Sequence, residues 1–280
     1  MLPFSESQTE RLAVLGMRRE HFTERVFKAP GDRDRAFQKL EKEAAAKNKN
    51  ELADLLFKTR EPRIAQMTRA IKEQLFQAGF SEMLTPAVIP RLYLERMSID
   101  AEHPLSSQVF WLDQKSCLRP MLAPGLYAVS QKLLNISPLP LRIFEIGSCF
   151  RKESEGRIHL KEFTMLNLVE WGTPEDSRDE RIHSLAAMVM NAAGITDFRL
   201  EQETSAVYGS GADVVDASGM ELASSSMGPH RLDWAWKISC SWVGIGFGLE
   251  RLLASRERSE GVHRFGRSFS FADGAALDIK

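Results

Sequence analysis

Three glycines at alternate positions, Gly244, Gly246 and Gly248, constrain the fold of this chain more than any other feature. They lie in or directly after an apolar run, residues 242–247, which predicts a strand. Because alternate residues of a strand face the same side, this strand would expose bare backbone on one face. Glycine weakens a strand, so its repeated use indicates that another group approaches the backbone closely. Arg251 follows in a predicted helix and supplies a charged fork suited to phosphate.

A second group of polar residues lies upstream, in a predicted hairpin. Its first strand, residues 144–153, carries Arg-x-Glu at its end, and its second strand, residues 163–169, is apolar and β-branched. The loop and strand ends hold a guanidinium, a carboxylate, an imidazole and an aromatic ring, from Arg151, Glu153, His159 and Phe163. These are the groups needed to hold a nucleoside triphosphate. For an Arg-x-Glu sequence on its own, a surface hairpin with solvated charges is the better interpretation.

The order of these segments carries the resemblance to a known family. Arg-x-Glu, His-x-x-x-Phe and Gly-x-Gly-x-Gly-x-Glu-Arg resemble motifs 2 and 3 of class II aminoacyl-tRNA synthetases. A helix ending at Gly79, followed by a predicted strand over residues 82–90 that contains Pro86, resembles motif 1. The resemblance implies an α+β fold, the class II catalytic fold, with a mostly antiparallel sheet flanked by helices and an N-terminal helical segment.

Within this class the chain resembles the pyrrolysyl-tRNA synthetases. Residues 118–127, 163–168 and 241–244 are similar to segments that line their amino-acid pocket, and residues 7–12 to the start of their catalytic part. The resemblance spans nearly the whole chain, in the short form without an N-terminal tRNA-binding domain. It implies ATP-dependent activation of pyrrolysine, or of a related N6-acylated lysine, and transfer to the cognate tRNA through an aminoacyl-adenylate.

The resemblance also implies roles for the residues of the two motifs. Arg151 would hold the α-phosphate of ATP and the substrate carboxylate, and Glu153 the adenine amino group. Phe163 would cover one face of the adenine, and Arg251 would cover the other face or reach the outer phosphate. His159 would approach the β- and γ-phosphates. The glycines Gly244, Gly246 and Gly248 would leave room for the nucleotide.

The same resemblance assigns a magnesium site and an amino-acid pocket. Glu221 and Ser224 match the positions that hold Mg²⁺, which prefers hard oxygen ligands. Asn167 lies in an apolar run, where an unpaired amide is costly, and would bind the substrate's amide carbonyl. Tyr208 would close the pocket as a lid. The lining positions are Met121, Ala123, Leu126, Tyr127, Asn167, Val169, Tyr208 and Trp242.

Composition limits the possible partners and location. The 280 residues are 43% hydrophobic and 27% charged, which is typical of a globular protein. A formal net charge of −1 means that any tRNA contact must use local basic patches. No apolar run approaches the roughly 20 residues of a membrane span. The three widely spaced cysteines favour a reducing compartment, and we expect a cytoplasmic homodimer.

We expect two regions, an N-terminal helical segment over residues 1–60 and a catalytic domain over residues 61–280. In the first region the patterns predict a helix capped at Ser7, a polar connector over 17–34, and two helices separated by a break at 47–50. Its basic residues form either a solvated helical face or a tRNA-facing surface. In the second region we predict a helix through Ile64, Met67, Ile71 and Leu75, a strand over 108–113, a helix ending near Gly194, and further strands near the C-terminus.

Two other functions stay open on the sequence alone. The chain could be a class II synthetase for another amino acid, or a catalytically silent paralogue that binds tRNA or another partner. The presence of Arg151, Glu153, Glu221 and Arg251 argues against the silent paralogue.

Overall fold

The computed structural model describes residues 1–152, 159–205, 207 and 209–279. Its centre is a seven-stranded sheet, antiparallel except for one parallel pair at an edge. Helices pack against this sheet and a smaller helical unit lies at the N-terminus. The predicted α+β class is therefore confirmed. No helix in the described ranges combines the length and the apolar character needed to cross a membrane.

The described residues form seven α-helices and thirteen strands. The helices are α1 Glu6–Val14, α2 Pro30–Phe57, α3 Arg63–Gln77, α4 Arg91–Glu95, α5 Ala123–Leu133, α6 Arg178–Ala193 and α7 Leu249–Arg256. The strands are β1 Leu2–Pro3, β2 Val26–Phe27, β3 Ser81–Glu82, β4 Val88–Pro90, β5 Ser116–Leu118, β6 Leu141–Phe150, β7 Glu162–Trp171, β8 Phe198–Ser205, β9 Gly209–Asp216, β10 Glu221–Gly228, β11 Trp242–Gly248, β12 Phe271–Ala272 and β13 Ala275–Ala276. The order in the central sheet is β3-β6-β7-β11-β10-β9-β8.

The two faces of the central sheet have different environments. Along β7, Leu166 and Leu168 are fully buried in the main core. Along β11, Val243, Ile245 and Phe247 enter the same core, in which α3, α6 and α7 cover the sheet. Since side chains alternate along a strand, the residues between these point to the opposite face, which the three helices leave uncovered.

The helices behind the sheet follow their sequence signals. Met67, Ile71 and Leu75 are spaced four residues apart on α3 and are buried, as the apolar periodicity predicts. Helix α6 ends where Gly194 adopts the left-handed conformation, with φ of 77°. Glycine enters this conformation without the steric cost of a Cβ atom. The predicted stop is therefore confirmed.

The prediction of a helix break at residues 47–50 was wrong. The segment 47–50 does not break the helix, because α2 is continuous from Pro30 to Phe57. Asn48 is buried there, and its Nδ2 donates to the carbonyl oxygens of Leu15 and Ala44, each at 2.8 Å. Its Oδ1 accepts from the Ala276 amide at 2.6 Å. Asn48 therefore does not break the helix but links α2 to Leu15 and Ala276, which are distant in sequence.

Other local predictions also need correction. The cap of α1 is Ser5 with Gln8, rather than Ser7, and the connector over 17–34 contains β2 and the first turn of α2. The predicted strand over 82–90 is two short strands, β3 and β4, that pair with different partners. The segment 108–113 contributes only a single bridge, from Trp111 to Cys117. Pro86 lies between the two strands and lacks the backbone N–H that a continuous ladder would need there.

Replacement of Asn48 by Ala should lower the free energy of unfolding by about 1–3 kcal/mol. The change leaves the buried Ala276 amide and the Leu15 carbonyl without their partner. Urea or thermal unfolding measures the effect. Asn50→Ala is the matched control, because Asn50 is exposed on the same helix. Equal stability of the Asn48 and Asn50 variants would contradict the assignment of Asn48 as an anchor.

Candidate active site

One cavity of about 540 Å³ lies on the sheet face that α3, α6 and α7 leave uncovered. All predicted site residues within the described part of the chain line this cavity. They are Met121, Ala123, Leu126, Tyr127, Arg151, His159, Phe163, Asn167, Val169, Glu221, Ser224, Trp242, Gly244, Gly246, Gly248 and Arg251. The remaining two, Glu153 and Tyr208, lie outside the described residues. Segments far apart in sequence are thus brought to one surface.

The pairing of β7 with β11 sets the shape of this surface. Asn167 lies opposite Gly246, and Val169 lies opposite Gly244. A Cβ atom at Gly246 would come within 2.8 Å of the Met165 methyl group. The absent Cβ atom at Gly246 therefore gives room to a side chain of the neighbouring strand, which is one close approach of the kind that the alternating glycines predict.

A bulge in β10 brings the two predicted magnesium ligands to the same side. Glu221 and Ser224 are three residues apart, so in a regular strand they would face opposite ways. The register against β9 shifts between Glu221 and Ala223, which inserts one extra residue. As a result Leu222 and Ala223 are both buried, whereas Glu221 and Ser224 are both exposed to the cavity.

Arg151 is held at one end of the cavity by its backbone and side-chain surroundings. Its Nε donates to the Pro120 carbonyl at 2.9 Å. Its guanidinium carbon lies 5.3 Å from the centre of the Phe163 ring. The segment that carries Pro120 is fixed in turn by Arg119, which is buried and donates to Glu145 at 2.6 Å. These contacts fix the direction of the Arg151 guanidinium, whose planar fork matches the geometry of a phosphate or a carboxylate.

A second arginine faces this end of the cavity from α7. Arg251 Nη1 lies 3.1 Å from Glu221 Oε2 and donates to the Glu221 backbone carbonyl at 3.2 Å. The Glu221 side chain is 48% exposed, so this ion pair is partly solvated. Such pairs contribute little to stability. Both groups can therefore change partners when a charged ligand binds.

Glu250 is a buried residue of this region that the sequence analysis did not single out. Both of its carboxylate oxygens accept from the Thr164 backbone amide at 2.9 Å. Burial raises the pKa of Glu250, against the lowering effect of the Thr164 hydrogen bond. It lines the cavity and joins α7 to the start of β7, next to Phe163. Its position directly before Arg251 was the sequence signal that could have identified it.

The other end of the cavity is aromatic. Tyr127 from α5, Trp171 from β7 and Trp242 from β11 line it, with ring centres 5.4 to 6.1 Å apart. Asn167 lies on the same wall, and its Nδ2 donates to the Ile245 carbonyl at 3.2 Å. Trp171 was not predicted as a site residue, although it continues the alternation that begins at Phe163. This end of the cavity suits an apolar group that makes one hydrogen bond to the Asn167 side chain.

The buried thiols of Cys149 and Cys117 are poor nucleophiles. Burial raises the pKa of Cys149 to about 12 and that of Cys117 to about 11. A thiolate is therefore scarce at either position at neutral pH. The site offers fixed cations, hydrogen bonds and an apolar end, rather than an attacking side chain.

The comparisons with known proteins identify the class to which this site belongs. The sequence model of the tRNA synthetase class II core domain (G, H, P, S and T) matches residues 110–255. The chain belongs to the class II tRNA synthetases. Threonine–tRNA ligase from Mycolicibacterium smegmatis is 30% identical over 141 residues, and that from Treponema pallidum is 31% identical over 91 residues. The matched regions are 48% and 32% of this chain but only 20% and 15% of those proteins.

Solved structures give a likeness over the full chain. A crystal structure of pyrrolysyl-tRNA synthetase from Desulfitobacterium hafniense is 45% identical, with a TM-score of 0.93, and covers 100% of this chain and 99% of that one. A second structure of a pyrrolysyl-tRNA synthetase from the same organism has a TM-score of 0.92, 45% identity and 99% coverage of both chains. The predicted resemblance to this group within the class is confirmed.

Glu250→Gln should raise thermal stability at neutral pH and not at acid pH. Because burial raises the pKa of Glu250, the folded protein favours the protonated carboxyl, and this contribution is lost as pH rises through the folded-state pKa. The glutamine is neutral throughout. We expect a midpoint about 2–4 °C above that of the unchanged protein at pH 8, with the difference vanishing near pH 4.

Asp216→Asn is a control of opposite sign. Burial would raise the pKa of Asp216, but hydrogen bonds from Ser218, Ser255 and the Met220 amide hold it below its usual value. This variant should lose stability at pH 8, and the loss should shrink as pH falls through the depressed pKa. A Glu250 variant that is less stable than the unchanged protein at both pH values would contradict the account of Glu250.

Proposed function

We propose that this protein activates pyrrolysine, or a related N6-acylated lysine, with ATP and transfers it through an aminoacyl-adenylate to its cognate tRNA. One observation carries the proposal. A single cavity joins an end with two arginines to an aromatic end with one amide, so a nucleotide and an acylated lysine would meet between them. The 45% identity over the whole chain to a pyrrolysyl-tRNA synthetase supports this choice of substrate.

The chemistry needs alignment and charge neutralisation more than a protein nucleophile. The substrate carboxylate attacks the α-phosphorus of ATP, a new phosphorus–oxygen bond forms, and pyrophosphate leaves. Both reactants are anions, so Arg151 would lower their repulsion and hold them in line. Phe163 and Arg251 would fix the adenine between them, and His159 would contact the outer phosphates. Glu153 would accept from the adenine amino group.

Glu221 and Ser224 fit a magnesium ion. The bulge in β10 aims a carboxylate and a hydroxyl, both hard oxygen donors, into the same part of the cavity. Mg²⁺ usually takes only one or two protein ligands and completes its shell with water and phosphate. When bound, the ion would neutralise phosphate charge. Glu221 would then exchange its contact with Arg251 for the ion.

We further propose that the helical segment over residues 1–60 contacts tRNA, while residues 61–280 form the catalytic domain. The N-terminal segment carries the basic side chains available for a local patch. On α2, Lys39, Lys42, Lys47 and Lys49 are exposed. Phosphate contacts of this kind need no overall positive charge. Since the reaction uses tRNA, the proposal includes a cytoplasmic location.

The proposal also includes a homodimer. Two large apolar side chains in the region resembling motif 1, Leu84 and Val88, are at least half exposed, as are Leu92 and Leu112 beyond it. They lie on and beside the small sheet of β4 and β5. Exposed apolar side chains of this size are a feature of association sites when they cluster, and a second copy of the chain would cover these four.

A synthetase for another amino acid is the second candidate. The threonine–tRNA ligases match the chain in part. However, threonine is small and polar, whereas Tyr127, Trp171 and Trp242 line an aromatic end with space for a long side chain. The cavity therefore supports the lysine derivative.

Arg151→Ala should reduce ATP–pyrophosphate exchange by about 10²–10³-fold or more, which is the loss typical of one group that stabilises developing charge. The fold should persist, because Arg151 contributes no core packing. The measurement is exchange with an N6-acylated lysine. Arg199→Ala is the control, since Arg199 is exposed on the edge strand β8. Near-normal exchange in the Arg151 variant would overturn its assignment.

Asn167→Ala should loosen the selection among lysine derivatives more than it weakens ATP binding. We expect the KM of an N6-acylated lysine to rise about tenfold, as for one lost buried hydrogen bond. The KM of ATP should change less than twofold. The same exchange assay gives both constants. Equal losses for the two substrates would count against the amide contact.

A further inference from the structure

Asp233 is a buried carboxylate behind the aromatic end of the cavity, with no part in the chemistry described above. Its residue is 0% exposed, and it is not among the residues that line the cavity. It lies in a short 3₁₀ helix, Arg231–Trp236. Within the described residues it forms no ion pair with a lysine or arginine. A buried carboxylate without a cation needs hydrogen bonds to compensate for its desolvation.

Two of the residues that donate these hydrogen bonds, Tyr127 and Trp242, line the cavity. The Tyr127 hydroxyl donates to Asp233 Oδ1 at 2.8 Å, and Trp242 Nε1 donates to Oδ2 at 2.8 Å. The His230 backbone amide also donates to Oδ2, at 2.6 Å. One carboxylate therefore joins α5 to β11 from behind and fixes the two rings relative to each other.

The helix that carries Asp233 also supports these rings by packing. Trp236 stacks on Tyr127, with ring centres 5.5 Å apart and an angle of 23° between the planes. Gly228 leaves the space that the Trp242 indole needs, because a Cβ atom there would lie 1.9 Å from Nε1. The position of each ring is thus set by both a polar and a steric contact.

We propose that Asp233 is a positioning residue that determines which acyl group the cavity accepts. It directs the polar hydrogens of Tyr127 and Trp242 away from the cavity, so that this wall presents ring carbon to the substrate. The inference rests on the proposed function. Its predicted effect is confined to the amino-acid end, since the arginines that would hold ATP lie at the other end.

Asp233→Asn is the sharpest test because it keeps the shape of the side chain. Trp242 Nε1 and the His230 amide can only donate, so the amide oxygen must stay on their side. The new NH₂ group then faces the Tyr127 hydroxyl, whose own proton loses its acceptor. We expect the KM of an N6-acylated lysine to rise about tenfold, while the KM of ATP changes less than twofold.

The readout is pyrophosphate exchange with two N6-acylated lysines, one with a small and one with a bulky acyl group, on protein whose active-site concentration is titrated. The preference between them, as the ratio of kcat/KM values, should change at least threefold in Asp233→Asn. Asp216→Asn, a buried aspartate on β9, controls for lost stability and should keep the preference of the unchanged protein. Tyr127→Phe should shift the preference in the same direction. In the double variant, Asp233→Asn should change the kcat/KM ratio by a smaller factor than it does in the unchanged protein.

The outcomes separate the inference from the proposed function. If the unchanged protein exchanges with neither lysine, the proposed function fails and this inference fails with it. If the unchanged protein is active and Asp233→Asn only lowers the active fraction, as in Asp216→Asn, Asp233 is structural and the inference alone is overturned. Should Asp233→Asn not fold, an unaltered preference in Tyr127→Phe overturns the inference as well.

Discussion

The pairing of β7 with β11 is the interaction on which the rest of the structure depends. On one face the paired strands bury Leu166, Leu168, Val243, Ile245 and Phe247 against helices. On the other face the same pairing sets glycine opposite Asn167 and Val169. A shift of one residue would exchange the two faces, exposing the core and filling the cavity. The register therefore fixes stability and the binding surface together.

Residues behind the cavity wall hold the functional side chains in place. Arg119 and Glu145 form a buried ion pair at the segment whose Pro120 carbonyl accepts from Arg151. Glu250 holds the start of β7, and Asp233 holds two aromatic rings. Each is a charged group whose burial is costly unless it is fully hydrogen-bonded. Holding the site residues in place therefore costs folding stability, as the raised pKa of Glu250 illustrates.

The sequence predicts those parts of the fold that depend on periodicity and on special residues. Alternating glycines, the apolar spacing of α3 and the helix stop at Gly194 lead directly to the observed elements. The bulge that brings Glu221 and Ser224 together was not predictable, because it depends on register against β9. Asn48 was misread for a similar reason, since its partners Leu15 and Ala276 come from distant segments. Asp233 and Trp171 were missed because each is defined by what packs around it.

The most direct test of the account is a crystal structure of the protein with a non-hydrolysable ATP analogue and an N6-acylated lysine. We expect the adenine between Phe163 and Arg251, the triphosphate beside Arg151 and His159, and the acyl group against Tyr127, Trp171 and Trp242. Ligand density elsewhere on the molecule, or a cavity filled by the protein's own side chains in the presence of both ligands, would contradict it.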